Sequence, residues 1–487
     1  MDTISRYNRK YSLAGYILLI VLLLPPLALL VYSGYGSVPA LVTDVSFLKQ
    51  TGLALAHAAL STLAALILAL PGIVIYAKCR SAFRKLLRLI LAFAFCFPPL
   101  VMSMGFDCLF AEGGLIAELE LDPVVRSAII NVMLSLPVFI VMVGEHWRNL
   151  DLRTAQTAAS TGASKPDIFF RITLARLRPA IIGTFALLFL RNISDIGNLV
   201  LSLVPGIVLI AVIAAADRRR IAAEAEPGEP KVRMRMSNAF TVIVSFIYMT
   251  AVSSMLIAPA VALVLKSVLT EAGFSISVYR SLFSALNPDF LVALAFCLAV
   301  SLASALASSF IAIHISVGIA ESDSGRFVAM LPLAAGPMAL AAGFGVFYMW
   351  IPQTVVAKMI LALLCYILMF IPIQTMIIMP SAKSVPQTLR ATSVSLGYSD
   401  GASFRHMELK MLGQVVRAGI FTAFALGIGS HGAAESLGLN TVFAQMIRAS
   451  ESGNEVTARA IASVILVLCF IFFAFGIGHT REVKHNV

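Results

Sequence analysis

Apolar runs long enough to cross a bilayer recur along almost the whole chain, and no other feature narrows the choice of fold so far. A helix of about 20 residues spans the hydrocarbon layer, so runs of about 18 or more mark candidate spans. They fall at 12–33, 51–77, 86–106, 126–144, 179–197 and 199–216, then at 239–266, 288–318, 326–349, 355–380, 417–430 and 459–478. The fifth and sixth runs nearly touch, and the run at 417–430 is the shortest. With 59% hydrophobic and 13% charged residues, the chain carries more apolar surface than a water-soluble core can bury. The sequence therefore reads as an all-α polytopic membrane protein of about 12 transmembrane helices.

The formal charge of +11 is a topology signal, because the basic residues gather in short patches between the apolar runs. Lys78, Arg80, Arg84, Lys85 and Arg88 place one loop in the cytoplasm, and Arg218, Arg219, Arg220, Lys231, Arg233 and Arg235 place another there. The loop between them holds Asp107, Glu112, Glu118, Glu120 and Asp122 and belongs outside. An even number of spans then puts both termini in the cytoplasm, with Arg6, Arg9, Lys10, Arg481 and Lys484. Nucleic acid is not an expected partner; the lipid bilayer is. The first run contains Pro25 and Pro26 and lacks a convincing small-residue cleavage site, so it is expected to be a retained span.

The six cysteines, Cys79, Cys96, Cys108, Cys297, Cys365 and Cys469, are scattered without a paired or Cys/His spacing, and they read as small core residues. His57 and His314 lie inside spans, where a lone histidine is expected to bond a neighbouring helix. No metal site is expected.

Two polar segments interrupt the apolar pattern: QTAASTGASKPDIFFRITLARLRP at 156–179 and ATSVSLGYSDGASFRHMELKMLGQ at 391–414. Aligning Gly162 with Gly397 sets an offset of 235 residues, which also matches Phe169 with Phe404, Leu174 with Leu409, Gly197 with Gly432 and Pro137 with Pro372. Further upstream, PLVMSMGF at 99–106 meets PMALAAGF at 337–344 at an offset of 238. The expectation is two tandem six-helix repeats, 1–216 and 239–487, joined by a charged cytoplasmic linker at 217–238. Equal orientation of the halves implies a pseudo-twofold axis along the membrane normal and a central pathway.

Each polar segment combines a small-residue helical stretch, a glycine suited to a tight turn and an aromatic residue leading into the next span. That pattern suits short cytoplasmic docking helices, expected at 151–163 and 386–398. The residues resemble the signature of permease subunits of binding-protein-dependent ABC importers: EAA, three residues, Gly, nine residues, Ile, one residue, Leu-Pro. The first copy resembles it at Gln156, Thr157, Ala158, Gly162, Ile172 and Leu174, with Phe169 between and Pro179 expected to open the next span. The second resembles it at Ala391, Thr392, Ser393, Gly397, Met407 and Leu409, with Phe404 between. The first copy lies closer to the signature, so Gly162 is expected to be the more sensitive of the two glycines.

The resemblance is to fused double permeases, similar to the thiamine and ferric-iron group, and it implies the type I ABC importer fold in a bacterial inner membrane. It also implies partners: an ABC ATPase homodimer on the cytoplasmic side and an extracytoplasmic solute-binding protein. The chain has no GxxxxGK[ST] phosphate loop. ATP and magnesium are accordingly expected in a partner subunit, with no cofactor and no enzyme activity in this chain.

In that family the span after the docking helix lines the pathway, which points to Arg191, Asn192, Ser194 and Asp195 in one half and to Ser430, His431 and Glu435 in the other. Arg191 and Asp195, four residues apart, equally suit an internal ion pair. Acidic groups favour a small cationic solute or metal such as thiamine or ferric iron. A twelve-helix carrier driven by an ion gradient is the alternative, although its repeated loop belongs after the second span of each half rather than the fourth.

Overall fold

The computed structural model describes residues 2–34, 43–78, 88–111, 113–116, 118, 120–150, 153–194, 206–216, 219, 239–270, 273–284, 287–319, 323–383, 385, 389, 392–393, 395–430 and 432–478. The linker at 217–238, apart from residue 219, lies outside them, as do Cys79, Arg80, Arg84, Lys85, Glu112, Asp195, Ala391 and His431.

The described residues are predominantly helical. In order they form α1 (Asp2–Gly34), α2 (Val45–Lys78), α3 (Pro99–Phe110), α4 (Pro123–Asn149), α5 (Arg153–Ser160), α6 (Leu174–Ser194) and α7 (Gly206–Ala216). There follow α8 (Ala239–Val268), α9 (Ser277–Leu282), α10 (Pro288–Ile319), α11 (Asp323–Tyr348) and α12 (Val355–Lys383). The last are α13 (Leu409–Gly429), α14 (Ala433–Ser436), α15 (Val442–Glu451) and α16 (Glu455–Gly478). A two-residue antiparallel hairpin, β1 (Leu269–Thr270) and β2 (Gly273–Phe274), links α8 to α9.

Among the described residues, eight helices are long and apolar enough to cross a membrane, and α2, α4, α6, α8, α10, α12, α13 and α16 supply them. Three shorter apolar helices lie at Gly15–Leu29, Pro99–Phe110 and Gly206–Ala216. Large apolar side chains stay exposed on these helices, including Leu60, Ile67 and Leu68 on α2 and Phe240, Phe246 and Ile247 on α8, as a bilayer-facing surface requires.

Span boundaries differ from the apolar runs at three places. The expected run at 86–106 is broken: after a short helix at 88–93, i to i+3 bonds from Ala94 to Leu91 and from Cys96 to Phe93 tighten the chain, and α3 restarts at Pro99. The Pro98–Pro99 pair has no N–H to continue a ladder, whereas Pro at the first helical turn costs nothing. Pro179 does not open a span; it lies inside α6, which starts at Leu174. The run at 417–430 likewise begins earlier, at Leu409.

The helices gather into two compact units. One comprises residues 49–197 and 205–262, the other 1–48, 198–204 and 263–487. In the first, α8 packs on helices that precede it by more than a hundred residues. A Cβ on Gly105 of α3 would lie 2.6 Å from the carbonyl oxygen of Pro259, so the two backbones touch. Gly72 of α2 lets Ile140 of α4 and Tyr248 of α8 close in together, and the Tyr248 hydroxyl donates to the Leu68 carbonyl. His57 bonds the Val124 carbonyl across α2 and α4 at 3.1 Å, as expected for an intramembrane histidine.

In the second unit α1 packs against α10 and α11, far from it in sequence. Gly343 of α11 meets the Pro26 backbone as Gly105 meets Pro259, and Gly15 meets Ile315 of α10. The core continues through α10, α12 and α13, where the Gln374 amide donates to the Ala305 carbonyl at 2.9 Å and the Ser308 hydroxyl at 2.8 Å. Phe424 on Phe472, with ring centroids 4.5 Å apart, joins α13 to α16.

Candidate functional site

Both polar segments fold into the same sequence of turns. In the first, α5 is a two-turn helix whose Gln156 and Thr157 are exposed and whose Ala158 is partly covered. It stops at Gly162, which has φ +89°; a side chain there is strained whatever space surrounds it. The Ala163 N–H bonds back to the Ala158 carbonyl at 2.9 Å, closing the helix end in the arrangement that a left-handed glycine permits. Ser164 then caps the next turn, accepting the Asp167 N–H at 3.3 Å.

The second segment repeats this at the same offset. Gly397 has φ +82°, and the Tyr398 N–H bonds the Ser393 carbonyl at 3.1 Å. Ser399, the match of Ser164, accepts the Ala402 N–H at 3.4 Å. Thr392 is exposed, while the Ser393 hydroxyl is buried 2.5 Å from that of Ser403.

After each cap the helix widens into a π turn, at Ile168–Thr173 and Phe404–Glu408, before α6 and α13 begin at Leu174 and Leu409. The widening is local and recurs with Phe169 and Phe404 in it, which sequence periodicity alone does not reveal. Ile172, Met407, Leu174 and Leu409 are half-buried, holding the turn onto the bundle. A Cβ at Gly162 or Gly397 would meet nothing within 4 Å, so both turns project freely. Exposed around them are Thr161 and Ala163 in the first loop and Leu396 and Tyr398 in the second.

No family model, curated protein or solved structure matches this chain.

The polar groups expected to line a pathway are distributed differently. Asn192 is 2% exposed and its amide donates to the Thr62 hydroxyl at 2.9 Å, while Thr62 donates to the Ala58 carbonyl at 2.6 Å. That chain ties α6 to α2. Arg191 is half-buried on the same helix. Ser430 ends α13, its N–H bonded to the Gly427 carbonyl at 3.3 Å. Glu435, on the short α14, accepts from the Thr441 hydroxyl at 3.3 Å, and Thr441 also caps α15 through the Ala444 N–H at 3.1 Å.

Three acids of the expected outer loop, Asp107, Glu118 and Asp122, are engaged locally. Asp107 pairs with Arg126, which also donates to Ser103 at 2.7 Å; Asp122 caps α4 through the Val124 N–H at 2.8 Å; Glu118 accepts the Gly113 N–H at 3.0 Å. Among the described residues, no group of three or more His, Cys, Asp or Glu side chains is placed to hold a metal ion.

Proposed function

We propose that this chain is the permease subunit of a binding-protein-dependent ABC importer, with both membrane halves fused in one polypeptide. The observation that carries the reading is the pair of loops around Gly162 and Gly397: helix stop and serine cap recur at the 235-residue offset, and a π turn follows each, ending at matched residues Thr173 and Glu408. A twelve-helix secondary carrier has its repeated loop after the second span of each half, whereas these two follow the fourth apolar run of each half. Two like exposed turns suit a machine that docks two copies of one ATPase.

In this reading the halves at 1–216 and 239–487 each contribute six of twelve spans, both termini lie in the cytoplasm of a bacterial inner membrane, and the loops dock an ATPase homodimer that binds ATP and magnesium. The placement of α1 and α8 supports the pairing. Each begins one sequence half and packs in the compact unit that holds most of the other, through the matched contacts Gly343 to Pro26 and Gly105 to Pro259. Arg191 in one half and Ser430 and Glu435 in the other are the candidates for pathway-lining groups, with Asn192 holding α6 on α2, and the solute is a small cation, such as thiamine or ferric iron, delivered by an extracytoplasmic binding protein.

The test is purification of the tagged chain from its native membranes in mild detergent. A co-purifying subunit with a GxxxxGK[ST] loop and ATP hydrolysis that tracks it is the expected result. A chain that purifies alone and moves solute down an imposed proton or sodium gradient would overturn the reading.

A further inference from the structure

Phe169 and Phe404 occupy matching places in the two loops, yet they lean on different partners. The Phe169 ring lies 5.9 Å from that of Trp147, near the end of α4, the helix that leads into its own loop. The residue 235 positions after Trp147 is Ala382, so the second loop lacks an aromatic seat there. His314 of α10 takes its place: its ring centroid is 5.9 Å from Phe404, with the planes tilted by 46°.

Two contacts to Phe310 hold that imidazole. Its Nδ1 lies 2.7 Å from the Phe310 carbonyl one helical turn back, and its ring lies 4.4 Å from the Phe310 ring. Behind it α1 closes off the helix, since a Cβ on Gly15 would lie 3.5 Å from the His314 Cβ and 2.8 Å from Ile315 Cγ1. Phe404 itself is 8% exposed and belongs to a buried cluster with Ile313, Ile378, Val385 and Leu412. An ordinary intramembrane histidine needs only a hydrogen-bond partner. This one also forms the wall against which the aromatic residue of an exposed loop is set.

We infer that His314 is a positioning residue for the second docking loop, seating Phe404 on α10 with α1 as backing, whereas Trp147 seats Phe169 on α4. The inference rests on the docking role given to the loops above. It makes the two loops mechanically unequal: force arriving at Gly397 passes first to α10 and the N-terminal helix, while force at Gly162 passes to α4.

The experiment compares full-length wild type, His314→Ala, His314→Phe and Phe404→Leu, each purified with its ATPase from native membranes. Loss of one aromatic pair predicts roughly twofold to tenfold weaker ATPase retention in His314→Ala and Phe404→Leu. ATP hydrolysed per solute moved rises in both, and His314→Phe, which keeps a ring against Phe404, restores both readouts. Phe404→Leu preserves apolar bulk, so it answers the question even if His314→Ala is poorly folded. Unchanged retention and coupling in Phe404→Leu, or failure of His314→Phe to rescue a folded His314→Ala defect, overturns the assignment. If wild type itself retains no ATPase, the docking role fails and the inference falls with it.

Discussion

A Cβ added to Gly343 of α11 would lie 2.3 Å from the carbonyl oxygen of Pro26 in α1. No side chain fits there without parting the two backbones, because the obstacle is main chain rather than a flexible tip. Gly343→Ala is therefore expected to destabilise the folded protein by about 1–3 kcal/mol, the usual range for overpacking. Gly345, two residues on in the same helix, has nothing within 4 Å of a Cβ. Gly345→Ala should leave thermal stability in detergent unchanged or slightly higher, since alanine favours helix. Equal melting behaviour of the two variants would contradict the close approach.

The packing of α1 on α10 is open to a covalent test. Cysteines at Gly15 and His314 would have Cβ atoms 3.5 Å apart, within the span a disulfide bridges. With the native cysteines replaced and a protease site placed in the 217–238 linker, oxidation followed by cleavage should leave the N-terminal and C-terminal fragments joined until reductant is added. Separate fragments, or a cross-link that joins two chains into a dimer, would show that α1 seats elsewhere.

Asn192 and Thr62 join α6 to α2 inside the apolar bundle. Interhelical bonds in membranes couple by about 0.6 kcal/mol on average and by at most about 1.7 kcal/mol. A double-mutant cycle of Asn192→Ala and Thr62→Val, read by reversible unfolding, should return a coupling in that range. Strictly additive effects would mean that the two side chains do not act as a pair.

Much of this was legible in the sequence. Long apolar runs foretold the helices, and the spacing of Gly162 and Gly397 foretold two like turns, because a left-handed backbone selects glycine in any context. The Pro98–Pro99 break and the early starts of α6 and α13 were not legible: tight i to i+3 turns precede the proline pair, whereas a π turn carries the helix into α6 and into α13 ahead of the apolar runs. His57 was read correctly from its membrane depth alone. The contact of His314 with Phe404 was not legible, since it joins residues 90 positions apart and nothing local announces it. The seating of α1 on α10 and α11 is likewise a choice among apolar faces that hydropathy cannot rank.

Single substitutions at the two turns should differ in effect. Valine at φ +89° or +82° is strained by about 1–2 kcal/mol, whereas asparagine tolerates that region better. Gly162→Val and Gly397→Val should uncouple ATP hydrolysis from uptake, and the asparagine variants should do so less. Sequence likeness favours Gly162 as the more sensitive site. The exposed side chains reverse that order: Leu396 at 67% and Tyr398 at 44% exposure flank Gly397 and give the second loop more apolar surface to lose. Measured ATP-to-solute ratios for the four variants decide between the two.

The central claim is that both loops dock an ATPase, and the Gly162→Val/Gly397→Val double variant tests it most directly. Purified from native membranes beside wild type, at matched abundance and elution volume, it should lose the co-purifying ATPase that wild type retains. Retention equal to wild type in a folded double variant would contradict the account.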